Sequence, residues 1–152
     1  MNCRICDASH GHIEQLEALE RSCFSLPWTK EQLESQLPDD MHCFLIALDG
    51  DRILGYAGMM HVLDEGYISN VAVAPDARRR GIGDQLIRTL LSRSAELGLS
   101  FVTLEVRSGN QAAIRLYEKH GFQKLGLRKN YYDCPKEDAI LMTKMLNEAE
   151  NE

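Results

Sequence analysis

Three arginines and two glycines stand together where a strand pattern gives way to a helix pattern. The segment Gly66–Gly83 begins with alternating apolar residues, breaks at Pro75, and enters a helix through Arg78, Arg79, Arg80, Gly81, Ile82 and Gly83. The first turn of a helix carries unpaired N–H groups and a partial positive charge, and glycine lets an anion approach that backbone closely. The arginines would add cationic donors. This spacing predicts a site for a phosphate-bearing ligand.

The common nucleotide-binding motifs do not fit this loop. The chain has no G-x-x-x-x-G-K-[ST] sequence, and Gly81 and Gly83 do not begin a G-x-G-x-x-G because residue 86 is Leu86. An ordinary helix with a basic first turn is the alternative that this segment leaves open.

The length and charge of the chain limit what the protein can be. With 152 residues, we expect one domain over residues 1–146 and an acidic tail over 147–152 that frays. Seventeen basic residues against twenty-three acidic ones give a net charge of -6, which disfavours nucleic-acid binding but suits a cationic substrate such as an amine. No apolar run is long enough to span a bilayer and no signal-peptide layout is present, so we expect a cytoplasmic protein that does not bind membranes.

The cysteines indicate neither a disulfide framework nor a metal site. Five cysteines are an odd and scattered set. Cys3 and Cys6 form a C-x-x-C near His10 and His12, but the segment has the pattern of a strand, which would point the two thiols to opposite faces. We therefore expect free thiols and no metal.

Periodicity places these motifs on a mixed sheet. The hairpin signal Asp49-Gly50-Asp51 predicts antiparallel neighbours, whereas a strand-helix-strand unit around the long helix requires a parallel pair. The fold class is therefore α/β (α+β), with helices on both faces of the sheet. The predicted strands are Cys3–Ala8, His42–Leu48, Arg52–Met60, Gly66–Ala74, Ser100–Arg107, Phe122–Gly126 and Ala139–Met145; helices begin near Ser9, Thr29, Ile82 and Gln111, and Arg128–Asp138 is a polar loop.

Two long motifs at this separation resemble the GNAT superfamily of N-acetyltransferases. The first is Arg78-x-x-Gly81-x-Gly83, and the second runs from Asn110 through small residues to Ile-x-Leu-Tyr-x-x-x-Gly-Phe, ending at Phe122. Further features resemble the RimI-type ribosomal-protein-alanine N-acetyltransferases over nearly the whole chain: Pro27-Trp28, Leu104-Glu105-Val106-Arg107, Lys129-Asn130-Tyr131-Tyr132 and Glu137-Asp138-Ala139-Ile140-Leu141-Met142. The resemblance implies the GNAT fold, a mostly antiparallel sheet of about seven strands.

The resemblance also implies acetyl-coenzyme A as co-substrate, without metal. In this family the loop holds the pyrophosphate, and the strand edge that matches Val71–Val73 pairs with the pantetheine arm through its backbone. The implied cofactor-binding residues are Val71, Ala72, Val73, Arg78, Arg79, Arg80, Gly81, Ile82, Gly83, Asp84, Asn110 and Tyr117.

By resemblance, Glu105 is the general base and Tyr117 the general acid. A carboxylate can take a proton from an N-terminal amine, directly or through water, and a phenol can donate one to a leaving thiolate. Taken alone, Glu105 fits a solvated surface carboxylate, Tyr117 fits core packing and Asn110 fits a helix cap. A cysteine nucleophile is the chemical rival, but none of the five cysteines lies in these motifs.

The implied substrate is a protein N-terminus, by resemblance the N-terminal alanine of a small-subunit ribosomal protein. Trp28, Tyr131 and Tyr132 are the expected substrate-binding residues, since exposed aromatic rings suit a peptide end. Two alternatives stay open: an acetyltransferase for lysine side chains or a small amine, and a non-catalytic acyl-coenzyme A-binding module. We expect a monomer or weak homodimer.

Overall fold

The computed structural model describes residues 3–146, so the predicted tail at 147–152 lies outside the described residues. The strands are β1 (Arg4–Asp7), β2 (His42–Asp49), β3 (Arg52–Val62), β4 (Glu65–Val73), β5 (Phe101–Arg107), β6 (Gln123–Tyr132) and β7 (Glu137–Met145). The helices are α1 (Ile13–Cys23), α2 (Lys30–Ser35), α3 (Ile82–Glu96) and α4 (Gln111–Lys119); single 3-10 turns, His10–His12 and Pro75–Ala77, precede α1 and α3.

All seven strands form one sheet in the order β1-β2-β3-β4-β5-β7-β6. Every neighbouring pair is antiparallel except β4 and β5, which are parallel. The parallel pair is joined by α3, the crossover that a parallel connection needs. The predicted fold class, a mixed and mostly antiparallel sheet, is confirmed.

Helices cover both faces of the sheet, as predicted. Every residue of strand β3 from Ile53 to Met59 is buried, so neither face of this strand meets solvent. Tyr56 points to the side of α1, where its hydroxyl accepts a hydrogen bond from Asn70. Gly55, the preceding residue, faces Ile82 of α3 on the other side. The helices contribute fully buried leucines and isoleucines to the hydrophobic core: Leu16, Leu33, Leu86, Ile87 and Leu90.

Local sequence fixes where two of the helices begin. Thr29 accepts a hydrogen bond from the backbone of Gln32, whose side chain accepts one from Thr29 N–H, which is the predicted capping box of α2. Asn110 caps α4 through its Oδ1, which accepts the Ala113 N–H at 3.2 Å. No described helix is long and apolar enough to cross a membrane.

The prediction of a loop over Arg128–Asp138 is wrong in part. Strand β6 continues to Tyr132 and β7 begins at Glu137, so only residues 133–136 connect them. The pairing of β6 with β7 is irregular, and Asn130 has a φ of 54°. Strand β6 lies at the edge of the sheet and pairs only with β7, so its side chains are mostly exposed. An exposed edge strand does not require alternating apolar residues, and its polar sequence therefore looked like a loop.

Candidate active site

The parallel strands β4 and β5 separate halfway along their length. They pair from Glu65 with Phe101 to Ile68 with Leu104, and no further. Beyond that point β4 stays paired with β3, and β5 stays paired with β7. A pocket of about 570 Å³ occupies the gap. It is walled by the diverging strands, by the end of α1 and the segment after it, by α4, and by the β6–β7 hairpin.

All of the predicted catalytic and substrate-binding residues line this pocket, together with two further residues predicted to bind the cofactor. Its lining includes Glu105, Tyr117, Asn110, Val71, Trp28, Tyr131 and Tyr132. The predicted phosphate loop, together with Ala72 and Val73, lies outside this lining, at the far end of β4. The gap between the strands therefore leads from the Glu105 carboxylate toward the first turn of α3.

The loop before α3 presents its backbone to the surface. Gly81 is the N-cap of α3 with a φ of 78°, and no side chain caps this turn. A Cβ added at Gly81 would meet nothing within 4 Å, so the space beside it is open. Gly83 is different, because a Cβ there would lie 3.2 Å from Leu116 of α4. Gly83 thus allows α3 and α4 to pack closely.

The charged residues of the loop take different positions. All three arginines are exposed, and the Arg78 guanidinium donates to the Val73 carbonyl at 3.1 Å. Asp84 lies between α3 and α4, where its carboxylate contacts Lys119 at 3.0 Å and His120 at 2.8 Å. Hydrogen bonds from Lys119 and His120 lower the pKa of Asp84. The Asp84 side chain is therefore engaged within the protein, and Ile82 is buried, so both would offer a ligand only their backbone.

Glu105 lies just past Leu104, the last residue of β5 that pairs with β4, and only 7% of its side chain is exposed. Its Oε1 accepts a hydrogen bond from the Tyr67 hydroxyl of β4. Its Oε2 forms an ion pair with Arg128 Nε of β6 at 2.9 Å. Sequence reasoning missed both partners, since Tyr67 and Arg128 meet Glu105 only once the sheet order and register are known.

Tyr117 faces the pocket from α4 and is almost fully buried. Its ring packs edge-to-face on Phe122, with ring centres 5.7 Å apart. Burial raises the pKa of Tyr117 far above its ordinary value. The phenol is therefore protonated and can offer its O–H as a hydrogen-bond donor.

Two adjacent tyrosines of β6 form the pocket wall that the β6–β7 hairpin supplies. The rings of Tyr131 and Tyr132 meet edge-to-face at 5.1 Å. The Arg107 guanidinium stacks over the Tyr132 ring at 4.4 Å and donates to the carbonyls of Pro135 and Asp133. Burial is the main cause that raises the pKa of Tyr132 to about 12. Arg107 thus ties the hairpin to the strand that carries Glu105.

A buried carboxylate that sequence reasoning missed lies on the opposite wall. Glu20 of α1 is 1% exposed, and its oxygens accept the Trp28 N–H at 2.8 Å and the Asn70 amide at 2.9 Å. Asn70 also donates to the Tyr56 hydroxyl. Burial raises the pKa of Glu20, and the Trp28 N–H partly opposes that rise. Glu20 thus ties Trp28 to the sheet.

Replacing Glu20 should change how stability depends on pH. Because the pKa of Glu20 is higher in the folded state, its contribution to stability is complete below about pH 4.5 and is lost as pH rises through the folded-state pKa. We expect Glu20→Gln to remove this decrease in the free energy of unfolding above pH 4.5. Urea denaturation between pH 4.5 and 7.5 measures it.

The matched control is Glu17→Gln on the same helix, where the side chain is 33% exposed beside Arg21. This variant should not remove the decrease that is assigned to Glu20. If the free energy of unfolding of Glu20→Gln still decreased above pH 4.5 as it does in wild type, that pH dependence could not be assigned to Glu20.

One of the five cysteines, Cys23, lies at the pocket. All five cysteines are free thiols, and Cys23 lines the pocket with its sulfur 3.7 Å from Arg78. Among residues 3–146, no group of three or more His, Cys, Asp or Glu side chains is placed to hold a metal ion.

Comparison with known proteins gives the family. The family model described as the acetyltransferase (GNAT) family matches residues 13–122. A relative from Bacillus subtilis, named putative [ribosomal protein bS18]-alanine N-acetyltransferase, is 34% identical and covers 90% of this chain and 91% of its own length. The [ribosomal protein bS18]-alanine N-acetyltransferase of Escherichia coli K12 is 35% identical, over 82% of this chain and 84% of its own.

The fold is shared as well. The crystal structure of the ribosomal-protein-S18-alanine N-acetyltransferase from Escherichia coli superposes with a TM-score of 0.89 at 29% identity, covering 95% of this chain and 94% of that one. The resemblance read from the two motifs is thus confirmed by the matched family model, by relatives along most of the chain, and by the fold. The chain belongs to the GNAT family of acetyltransferases.

Proposed function

We propose that this protein is an N-α-acetyltransferase that transfers acetyl from acetyl-coenzyme A to a protein N-terminal amine. The proposed target is the N-terminal alanine of a small-subunit ribosomal protein, and the transfer is direct, within a ternary complex. The observation that carries the proposal is the placement of Glu105 and Tyr117 on one pocket at the split between β4 and β5. The names of the two relatives at 34% and 35% identity support the choice of substrate.

The residues present suit acetyl-coenzyme A. The uncapped first turn of α3, with open space beside Gly81, suits a pyrophosphate held by backbone N–H groups. Strand β4 past Ile68 has no partner on the β5 side, so the backbone edge at Val71 suits a pantetheine arm that adds as a strand would. When bound, the co-substrate supplies an acetyl thioester at the pocket. No metal is needed for this transfer.

Glu105 and Tyr117 would carry out the proton transfers of the reaction. A protein N-terminal amine has a pKa of about 7.7 to 8.0, so much of it is protonated at neutral pH. The Glu105 carboxylate accepts the proton, directly or through water, and leaves the amine nucleophilic. As the C–N bond forms and the C–S bond breaks, Tyr117 donates its proton to the departing thiolate, and the second proton of the amine nitrogen restores the neutral phenol. Asn110 keeps α4, and with it Tyr117, at the pocket by capping the helix.

Trp28, Tyr131 and Tyr132 would enclose the peptide end. They come from opposite walls, and both walls are fixed: Trp28 through Glu20, and Tyr132 through Arg107. Rigid aromatic side chains give contact area at a low cost in conformational entropy. The net charge of -6 favours a basic peptide.

Peptides with and without a free N-terminus test the proposal. We expect turnover of a peptide that starts with alanine and is basic thereafter, and no turnover of the same peptide with its α-amine blocked, read by mass. Undiminished activity on the blocked peptide would instead favour lysine side chains. No acetylation of any amine, together with acetyl-coenzyme A binding, would favour the non-catalytic module. Enzyme incubated with acetyl-coenzyme A alone should gain no acetyl group, since a stable acetyl-enzyme would indicate a thiol such as Cys23.

We also propose a cytoplasmic location and a monomeric or weakly dimeric state. Free thiols at all five cysteines suit a reducing compartment. Sedimentation at two protein concentrations tests the oligomeric state, since the mass of two chains at both concentrations would contradict the proposal.

A further inference from the structure

The side chains of Tyr67 and Glu105 meet across the last rung of the parallel strand pair. Tyr67 of β4 is the register partner of Thr103 in β5, and register partners in a parallel pair point to the same face. Glu105 is two residues beyond Thr103 and therefore lies on that face as well. The Tyr67 hydroxyl reaches along the face and donates to Glu105 Oε1.

The two partners of the Glu105 carboxylate differ in how firmly they are held. Tyr67 projects from a central strand that is paired on both sides at this level, and it is partly buried. Arg128 projects from the edge strand β6, and 53% of its side chain is exposed. Each carboxylate oxygen can accept more than one hydrogen bond, so an amine or a water can reach Glu105 while Tyr67 stays in place.

Toward the Glu105 carboxylate, the Tyr67 hydroxyl acts as the donor. Burial, and then the hydrogen bond to Glu105, raise the pKa of Tyr67 far above its ordinary value, so the phenol stays protonated. The other ionisable groups that face this pair come from β6: Arg128 on Glu105, Tyr131 beside Tyr67, and Tyr132 near the carboxylate.

We propose that Tyr67 is the positioning residue for Glu105: its hydroxyl fixes the direction of the carboxylate and favours the ionised form that takes the substrate's proton. This inference rests on the proposed function. Tyr67 does not touch the reacting atoms; it acts through Glu105. A hydrogen bond to a charged group is stronger than one between neutral groups, so losing it affects both the orientation and the ionisation of the carboxylate.

The test compares Tyr67→Phe with wild type over a range of pH. The phenylalanine keeps the ring and its packing and removes only the hydroxyl. We expect kcat to fall about 10-fold, with KM for acetyl-coenzyme A unchanged. The acidic limb of the pH profile of kcat/KM should move to higher pH, because a donor that favours the ionised carboxylate is lost.

The control is Thr103→Val, which removes a hydroxyl from the register partner of Tyr67. That hydroxyl lies 3.2 Å from Thr143 Oγ1 and does not contact Glu105. The Thr103→Val variant should leave both kcat and the acidic limb of the kcat/KM profile unchanged. A Tyr67→Phe variant that loses rate equally at every pH, or keeps the wild-type rate and limb, would overturn the positioning role.

A second measurement decides the inference without relying on catalysis. The carboxyl carbon of Glu105 can be titrated by NMR in protein labelled at glutamate, with its signal assigned by its loss in Glu105→Gln. We expect the titration midpoint of Glu105 to be higher in Tyr67→Phe than in wild type and in Thr103→Val. Equal midpoints would overturn the inference. If wild type acetylates no N-terminal peptide, the proposed function fails, and this titration still decides the role of Tyr67.

Discussion

Glu105→Gln should lower kcat by about 10²- to 10⁴-fold and leave the affinity for acetyl-coenzyme A unchanged, which is the range expected when a general base is lost. The amide cannot take a proton, yet it has nearly the shape of the carboxylate. It can still accept from Tyr67, but its NH₂ group would then face the Arg128 guanidinium, so two donors would meet without an acceptor. Steady-state kinetics on an N-terminal peptide and calorimetric titration with acetyl-coenzyme A measure the two quantities.

Two further variants separate proton transfer from a local clash. Glu118→Gln, at an exposed position of α4, should retain wild-type activity and serves as the matched control. The double variant Glu105→Gln with Arg128→Gln removes the opposed donors and should remain as inactive as Glu105→Gln alone. Recovery of activity in the double variant would mean that the clash, and not the missing base, caused the loss.

The sequence was sufficient for those parts of the site that depend on local pattern. A strand pattern that ends at Pro75 and is followed by a helix pattern after Gly81 predicts a helix whose first turn has unpaired N–H groups. In the structure, no side chain caps the first turn of α3. Asn110 was predicted as a helix cap and is one. Local geometry is set by residues a few positions apart, so periodicity and turn chemistry carry that information.

Contacts that depend on sheet register could not be predicted in this way. Tyr67 and Arg128 contact Glu105 from two different strands. Both lie far from Glu105 in the sequence, and the repeat of a helix or a strand does not relate residues that are so far apart. The pocket itself exists because β4 and β5 stop pairing after Ile68, at the level where the pairing of β4 with β3 also shifts register. Sequence pattern indicates strands but does not say where two of them part.

Glu20 shows a second limit, which concerns burial. An acid on a helix is usually solvated, and nothing in the local sequence marks this one as buried. Its burial is tolerated because Trp28 and Asn70, from two separate segments, supply hydrogen bonds to both oxygens. Two donors that come from distant parts of the chain are visible only after folding.

Gly81→Val should weaken acetyl-coenzyme A binding about 100-fold or more, whereas Arg79→Ala should weaken it only a few-fold. The space beside Gly81 is open in the protein, so a valine side chain would project to where a bound pyrophosphate must approach the first turn of α3. Arg79 is exposed, and an exposed charge contributes about 0.2 to 1 kcal/mol to such a contact. Calorimetric titration of each variant with acetyl-coenzyme A measures the difference.

Valine at a positive φ also strains the backbone, and Gly98→Val separates that effect from blocked access. Gly98 lies past the other end of α3 with a φ of 76°, close to the 78° of Gly81, and a Cβ there would likewise meet nothing within 4 Å. Both variants should therefore lose similar stability in thermal unfolding, because the backbone cost is the same. Only Gly81→Val should lose affinity for acetyl-coenzyme A, because of the two glycines only Gly81 lies beside the uncapped N–H groups of α3. Equal loss of affinity in the two glycine variants, or in Gly81→Val and Arg79→Ala, would show that the backbone at Gly81 is not what holds the pyrophosphate.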